Sequence, residues 1–548
     1  MRSSKWLIVL ALLVGCTSTP TEMSIINDSA NALGGADKIR AVNTLILEGT
    51  GENGNFGQSL SPDAPLPVFK VNQFKRAIDF AGGRWRHEAT RTPTFVAANT
   101  APQPQILGVD GDVAYNVAAN GTAARQLDEV AKDRLMELNH HPIGILRAAL
   151  APGTQLSNLR KDGNDNVVDI TTAQGAKVTL YVDSGTKLPS KVVSMTAPVA
   201  NNPLGDSAVE TSFANYTDAG GLKLPSRITT RTDKYTTADY QISKSTVNGD
   251  LGDVAAPEAA KSATAPTTAA MVTAEQVAKG IWFLAGQSHH SVLVEFRDHL
   301  ALIEAPQNEV RVDAVLQKVK ELKPDKPLRY VVNTHHHFDH SGGVRRAMAE
   351  GVTLITHDGN KAFFEEIAQR KFTMTPDMLS KSPKAPTIVG VTDKYELKDE
   401  TRTVEIYPIP NRHSDTMLIV YFPAERLLVE ADLYNPPAPP PANAPPPAAN
   451  IPPPVFPFAP SVVQTVQKLG LHPDRILPIH GMWQFSAAHS RHSRNSRQKN
   501  LHDIIADQRG CRKGADSGRR DHGNRAGLSR TRGRRGFEPG AQSGVSAR

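Results

Sequence analysis

The chain has 548 residues, 39% hydrophobic, 21% charged and 6% aromatic, proportions of a globular protein of more than one domain that exclude a fibre or a wholly disordered chain. Its net charge of +7 would ordinarily suggest an anionic partner, but residues 491–548 hold 13 arginines and 2 lysines against 4 aspartates and 1 glutamate. That stretch alone carries +10 and leaves residues 1–490 at −3, so no nucleic-acid partner is expected for the folded body. Two cysteines, Cys16 and Cys511, exclude a disulfide framework, and neither lies near a cluster of histidines or acids.

Taken in chain order, Arg2 and Lys5 precede an apolar run from Trp6 to Val14. The run is too short for a bilayer span, which takes about 20 residues, and has the charged-then-apolar layout of a secretory signal. Leu13-Val14-Gly15-Cys16 resembles the lipobox of bacterial lipoproteins. The resemblance implies a signal over residues 1–16 that is cut before Cys16, with acyl chains on that cysteine as a membrane anchor. With Thr17 following, it implies export to the outer membrane, facing the periplasm.

Residues 23–250 read as short β-prone runs divided by turns, for example Gln105 to Val109 and Asp112 to Val117 around Asp110-Gly111, or Val178 to Val182 before Asp183-Ser184-Gly185. Such punctuation predicts an all-β antiparallel meander. The pieces Ala32-Leu33-Gly34-Gly35, Lys187-Leu188-Pro189-Ser190-Lys191 and Gly221-Leu222-Lys223-Leu224-Pro225 resemble the curved-sheet domains of periplasmic lipoprotein-carrier-type proteins. An accessory β-domain that spaces or shapes a neighbouring site fits the same residues. Residues 251–270, rich in alanine and threonine around Pro257 and Pro266, predict a linker.

From residue 271 to 485 strands and helices alternate. Ser291 to Phe296 and Leu300 to Ile303 read as strands, Val312, Val315, Val319 and Leu322 recur at helical spacing, and Leu328 to Val332 reads as a strand buried on both faces. Directly after it come His335, His336, His337, Phe338, Asp339 and His340, then Gly342-Gly343 and a predicted helix over 344–350. Five candidate ligands in six positions on a strand-to-helix loop converge on one place, where α/β folds put their chemistry. Imidazole nitrogen and carboxylate oxygen are zinc ligands, and the alternate residues His335 and His337 can face the same way from extended backbone. Three further candidates end strand-like runs: His413 after Val404 to Ile409, Asp432 after Leu427 to Ala431, and His480 after Arg475 to Ile479.

This His-x-His-x-Asp-His pattern, followed in order by His413, Asp432 and His480, is similar to that of the metallo-β-lactamase fold superfamily over about residues 273–483. The resemblance implies an α/β fold, the four-layer αββα sandwich, behind the N-terminal all-β domain. It implies one metal on His335, His337 and His413, a second on Asp339, His340 and His480, and Asp432 bridging the two. An all-nitrogen-and-oxygen donor set suits two Zn²⁺ ions, with Mn²⁺ or Fe²⁺ allowed by ligand type. The expected activity on a small-molecule substrate is hydrolysis, a metal-bridging hydroxide attacking an ester, thioester, lactone or lactam carbonyl while Asp339 orients the nucleophile or moves its proton. Two other readings stay open: a non-enzymatic ligand-binding lipoprotein with a structural metal site, and a mononuclear iron oxygenase of the same fold. His336 is expected to point away from the metals, Tyr434 to be a packed tyrosine, and His289, His290, His299, His357 and His472 to have no part in the centre.

Residues 436–460 hold 13 of the chain's 40 prolines and predict a polyproline-like excursion near the mouth of the site. Residues 486–548 have no periodic apolar order and read either as a basic disordered arm or as the product of a reading-frame change after His480.

Overall fold

A computed structural model describes residues 21–97, 99–198, 201–266, 271–435 and 456–480. The signal with Cys16, most of the proline-rich stretch 436–460 and the tail 486–548 lie outside the described residues. Among the described residues no helix is long and apolar enough to cross a membrane.

The N-terminal half is one thirteen-stranded sheet. Its middle is the antiparallel pair Thr44–Gly54 and Tyr235–Val247, the first and last strands of the domain, and the chain meanders outward from each. Register shifts at Glu48/Gly49, Val71/Gln73 and Thr230/Arg231 interrupt the ladders, local irregularities of the kind that bend a sheet. The domain is not all-β, however. Glu22–Leu33, Asp128–Met136 and Pro142–Ala149 are helices. Thr21 and Ser24 form a reciprocal cap, and Ile25, Ile26, Ser29, Ala30 and Leu33 follow at helical spacing with their side chains buried. Pro142 at the first turn and the His141 side chain as cap start the third helix. These helices cover one face, where Ile26, Leu33 and Leu146 pack against Trp85, Val168 and Leu180. Gly34 closes the first helix at φ 134°, and a Cβ there would strike the Gly221 carbonyl oxygen, so the quoted Gly34 and Gly221 meet in the fold.

The stretch 251–266, expected as part of a linker, packs in part: Glu258–Lys261 is a short helix whose Ala260, with Ala256, lies against Val113 and Tyr115.

Beyond residue 271 two sheets stack. The first has seven strands in the order Thr273–Ala278, Ile281–Ala285, Ser291–Glu295, Leu300–Ile303, Leu328–Val332, Thr353–His357 and Thr387–Val391, the last four parallel. The second has five, Tyr395–Lys398, Thr403–Pro408, Leu418–Phe422, Leu427–Glu430 and Arg475–Pro478. Alternation along the strands builds the layers. Val292, Val294 and Ile303 face Leu418, Val420 and Phe422 between the sheets. Leu293 and Leu302 face the other way, onto Val312, Val315 and Val319 of the helix Glu309–Leu322. Ile419, Tyr421 and Leu428 likewise face Val462 and Val466 of the helix Ala459–Lys468. Helix, sheet, sheet and helix are thus the four layers expected of an αββα sandwich.

Three buried imidazoles make the N-terminal domain acid-sensitive. Burial, with Arg76 adding to it, pushes His87 and His141 down to about 3 and His140 down to about 4. In an unfolded chain the same rings take a proton near 6.5, so protonation favours the unfolded state and stability falls as pH drops from about 6.5 toward 4. His87 stacks on Phe74 at 5.5 Å between ring centroids, and its Nδ1 has no partner. His87→Leu is therefore expected to flatten the decline in urea midpoint between pH 7 and pH 5; an unchanged slope would contradict this.

Candidate metal centre

The strand Leu328–Val332 lies parallel between Leu300–Ile303 and Thr353–His357 and stops at Val332. Asn333 still donates its amide to the Ile355 carbonyl at 2.9 Å, but the Thr334 amide turns to the Glu304 carboxylate at 2.6 Å. The chain then runs through His335, His336 and His337 into a single helical turn, Phe338–Ser341. His335, His337 and His340 are at most 1% exposed. Burial holds the His335 and His337 rings well below their ordinary value, leaving them neutral with lone pairs available to a metal.

The other donors arrive from strand ends. Asp432 follows Leu427–Glu430 in a left-handed conformation, φ 61°, one that aspartate tolerates better than most residues. Its Oδ2 lies 2.7 Å from His340 Nε2 and 3.5 Å from both His335 Nε2 and His413 Nε2, and its Oδ1 lies 3.8 Å from His480 Nε2. Burial alone would raise this carboxyl, but His340 and His413 hold it well below the usual carboxylate range. Asp339 is kept low in the same way, by His340 and by a 3.1 Å contact with His289 Nε2. The reverse holds for His340, which burial would lower but Asp432, Glu304 and Asp339 raise.

All seven residues singled out in the sequence meet here. Donor atoms of His335, His337 and His413 lie within 4.8 Å of one another, as do those of His335, His340 and Asp432, and those of His289, Asp339 and His480. The donor set fits divalent cations on its own chemistry. His335 Nε2 and His413 Nε2 face each other at 3.3 Å, and the buried atoms His337 Nδ1, His340 Nε2 and Asp432 Oδ2 have no aligned hydrogen-bond partner.

Several participants were not legible in the sequence. His289, expected to play no part, bridges to His480 across the ends of two sheets and belongs to the Asp339–His480 group. Arg311, 1% exposed, donates to the His289 carbonyl at 3.0 Å and braces it. Glu304, at φ 71°, accepts from His340 Nδ1 at 2.8 Å and fixes which ring nitrogen faces the centre. Glu430, pushed up to about 8 by burial and by Asp432, accepts the Leu433 and Tyr434 amides and holds the turn that carries Asp432. These acids lie on strands or at strand ends, and nothing in the local pattern distinguishes them from ordinary polar residues.

The remaining histidines have local roles. His336 turns away from the centre, its Nε2 3.2 Å from Ser59 Oγ and its Nδ1 3.3 Å from Thr416 Oγ1. His299 stacks on Phe296, and His357 caps the turn at Gly359. Tyr434 is a packed tyrosine, its ring 4.7 Å from that of Phe456.

Residues 286–488 match the family model described as the metallo-beta-lactamase superfamily. No curated protein matches the chain. Among solved structures, a metallo-beta-lactamase from Pontibacter korlensis is 16% identical, over 39% of this chain and 93% of that one, with a TM-score of 0.28. The metallo-beta-lactamase FIM-1 from Pseudomonas aeruginosa, in a mono-zinc form, is 14% identical over 45% of this chain and 96% of its own, with a TM-score of 0.29.

Glu304→Ala leaves His340 buried beside Asp339 and Asp432 with no anchor for its outer nitrogen. Loss of one partner of a buried ion pair is expected to cost about 3–5 kcal/mol, read as a lower urea midpoint for the C-terminal domain; parent-like stability would contradict the bracing role.

Proposed function

We propose that the chain, whose residues 286–488 match the metallo-beta-lactamase superfamily model, is a binuclear hydrolase, with zinc as its metal, acting on ester, thioester, lactone or lactam carbonyls. The observation that carries this reading is Asp432, whose two oxygens face four imidazoles from three chain segments. A structural zinc site usually closes at four ligands around one ion; here seven expected donors, with His289 as an eighth, exceed what one ion takes up. His335, His337 and His413 would hold one ion, Asp339, His340 and His480 the other, and Asp432 would be shared.

When bound, such a pair supplies a Lewis acid for a carbonyl oxygen and lowers the pKa of a water to about 7. The chain's own residues do the positioning. Asp339, ionised and held by the His289 ring, orients the attacking water and accepts its proton. His289 occupies the outer edge of that carboxylate and keeps it from swinging away. The shared acid supports the thioesterase and lactonase directions, since Asp432 occupies a place that the true β-lactamases of this fold generally leave without an acid. Export and a lipid anchor at Cys16 complete the proposal: a small-molecule hydrolase held at the outer membrane on its periplasmic side, with no nucleic-acid partner for the folded body.

Purified chain is expected to contain two equivalents of metal and to hydrolyse at least one of a lactone, a thioester and a β-lactam; turnover of a phosphodiester alone, assayed beside them, would contradict a carbonyl substrate. Asp339→Asn should lower turnover by about 100-fold or more while most of the metal is retained. One iron per chain with oxygen consumption, metal without turnover, or an active Asp339→Asn would each contradict the reading.

A further inference from the structure

The segment between the strands Thr44–Gly54 and Val68–Asp79 belongs to the N-terminal sheet by sequence, yet it is spent on the other domain. Phe56 sets its ring edge-on to Phe338 at 5.1 Å and to Tyr235 at 5.7 Å. The Phe338 amide donates to the Gly57 carbonyl at 3.2 Å, and Gly57, at φ 76°, lies so close to the Phe338 ring that a Cβ would overlap it. Gln58 Nε2 then donates to Asp339 Oδ1 at 2.9 Å. His337 Nε2 lies 2.9 Å from the Ser59 carbonyl oxygen, and Ser59 Oγ takes up His336. Finally the Leu60 carbonyl accepts the Asp415 amide at 2.8 Å, two residues beyond His413. Four consecutive residues of one domain thus hold both metal-facing loops of the other.

The His337 contact has a specific chemical consequence. A carbonyl oxygen only accepts, so Nε2 must carry the proton, and Nδ1 is left as a bare lone pair. That Nδ1 is buried with no partner, within reach of His335 and His413. Gln58 acts on Asp339 from the side opposite His289: one carboxylate oxygen is held by the amide and the other by the ring, which fixes the plane of the group. Outer partners of this kind orient ligands and set their basicity.

We propose that Gln58 and the Ser59 carbonyl are positioning groups of the metal centre, so that the N-terminal sheet domain is a built part of the metal site. The placement is held by more than the loop. Asp206 accepts the Thr373 amide at 2.7 Å, Asp233 pairs with Arg370 at 2.7 Å, and Tyr235 is buried among residues of the C-terminal domain. The inference rests on the reading that the centre binds metal and goes beyond it by assigning the accessory domain a task.

The test uses the full chain and zinc. Zinc affinity is measured by competition with a chromophoric chelator for the parent and for Gln58→Ala, together with the melting temperature of each in the metal-free state. Gln58→Ala is expected to bind at least one zinc about 10- to 100-fold more weakly, with metal-free melting unchanged, a split that a merely structural role would not produce. Parent-like affinity overturns the inference. If Gln58→Ala does not fold, hydrogen exchange of the parent decides: amides of residues 57–60 should slow on zinc loading, and equal exchange with and without zinc overturns it. A parent that binds no zinc sinks the proposed function as well, which separates the two failures.

Discussion

The metal centre of the C-terminal domain poses one electrostatic problem, a carboxylate and four imidazoles gathered at close range with restricted access to water. Asp432 is the centre of it, with His335, His340, His413 and His480 within 3.8 Å. Burying an unpaired charge costs several kcal/mol, so such a cluster persists only if opposite charge is placed inside it and the backbone is prevented from relaxing. Two non-glycine residues with left-handed backbone, Glu304 at φ 71° and Asp432 at φ 61°, follow strands of the two different sheets and aim their carboxylates inward. Conformations of this kind cost about 1–3 kcal/mol each and are kept where the surrounding fold over-determines them. The two packed sheets provide that determination: Ile303 and Val429, which precede these acids, are buried in the same inter-sheet core.

The same constraint explains the layer of groups behind the donors. Glu304 fixes the His340 ring, Glu430 holds the Asp432 turn, and Arg311 holds the segment bearing His289. The N-terminal domain joins this layer through Gln58 and Ser59. A sheet of thirteen strands could be a ligand carrier or a spacer, but its contact with the centre is made by side chain and carbonyl groups at 2.9 Å. On this account the two domains are one functional unit, and the loop 55–60 is where they are coupled.

Much of this was legible in the sequence because the donors sit where apolar strands end. Leu328 to Val332 and Leu427 to Ala431 are mostly apolar runs, broken only by Arg329 and Glu430, so the acids and histidines after them are marked by position. His335, His337, Asp339, His340, His413, Asp432 and His480 were readable for that reason. His289 was not, since Ser288-His289-His290 precedes its strand, and its role exists only because the Arg475–Pro478 strand ends beside it in space. Gln58 and Ser59 lie 281 and 278 residues from their partners in a loop of ordinary turn composition. The N-terminal helices are hard to read for a different reason: Thr21 and Ser24 form a helix cap, but the twelve-residue element that follows is short beside the many β-prone runs of the region.

The most direct test of the central claim is anomalous diffraction at the zinc edge from crystals of the full chain grown with zinc. The account predicts two peaks flanking Asp432, one against His335, His337 and His413 and one against Asp339, His340 and His480. A single peak, or none among these residues, would contradict it.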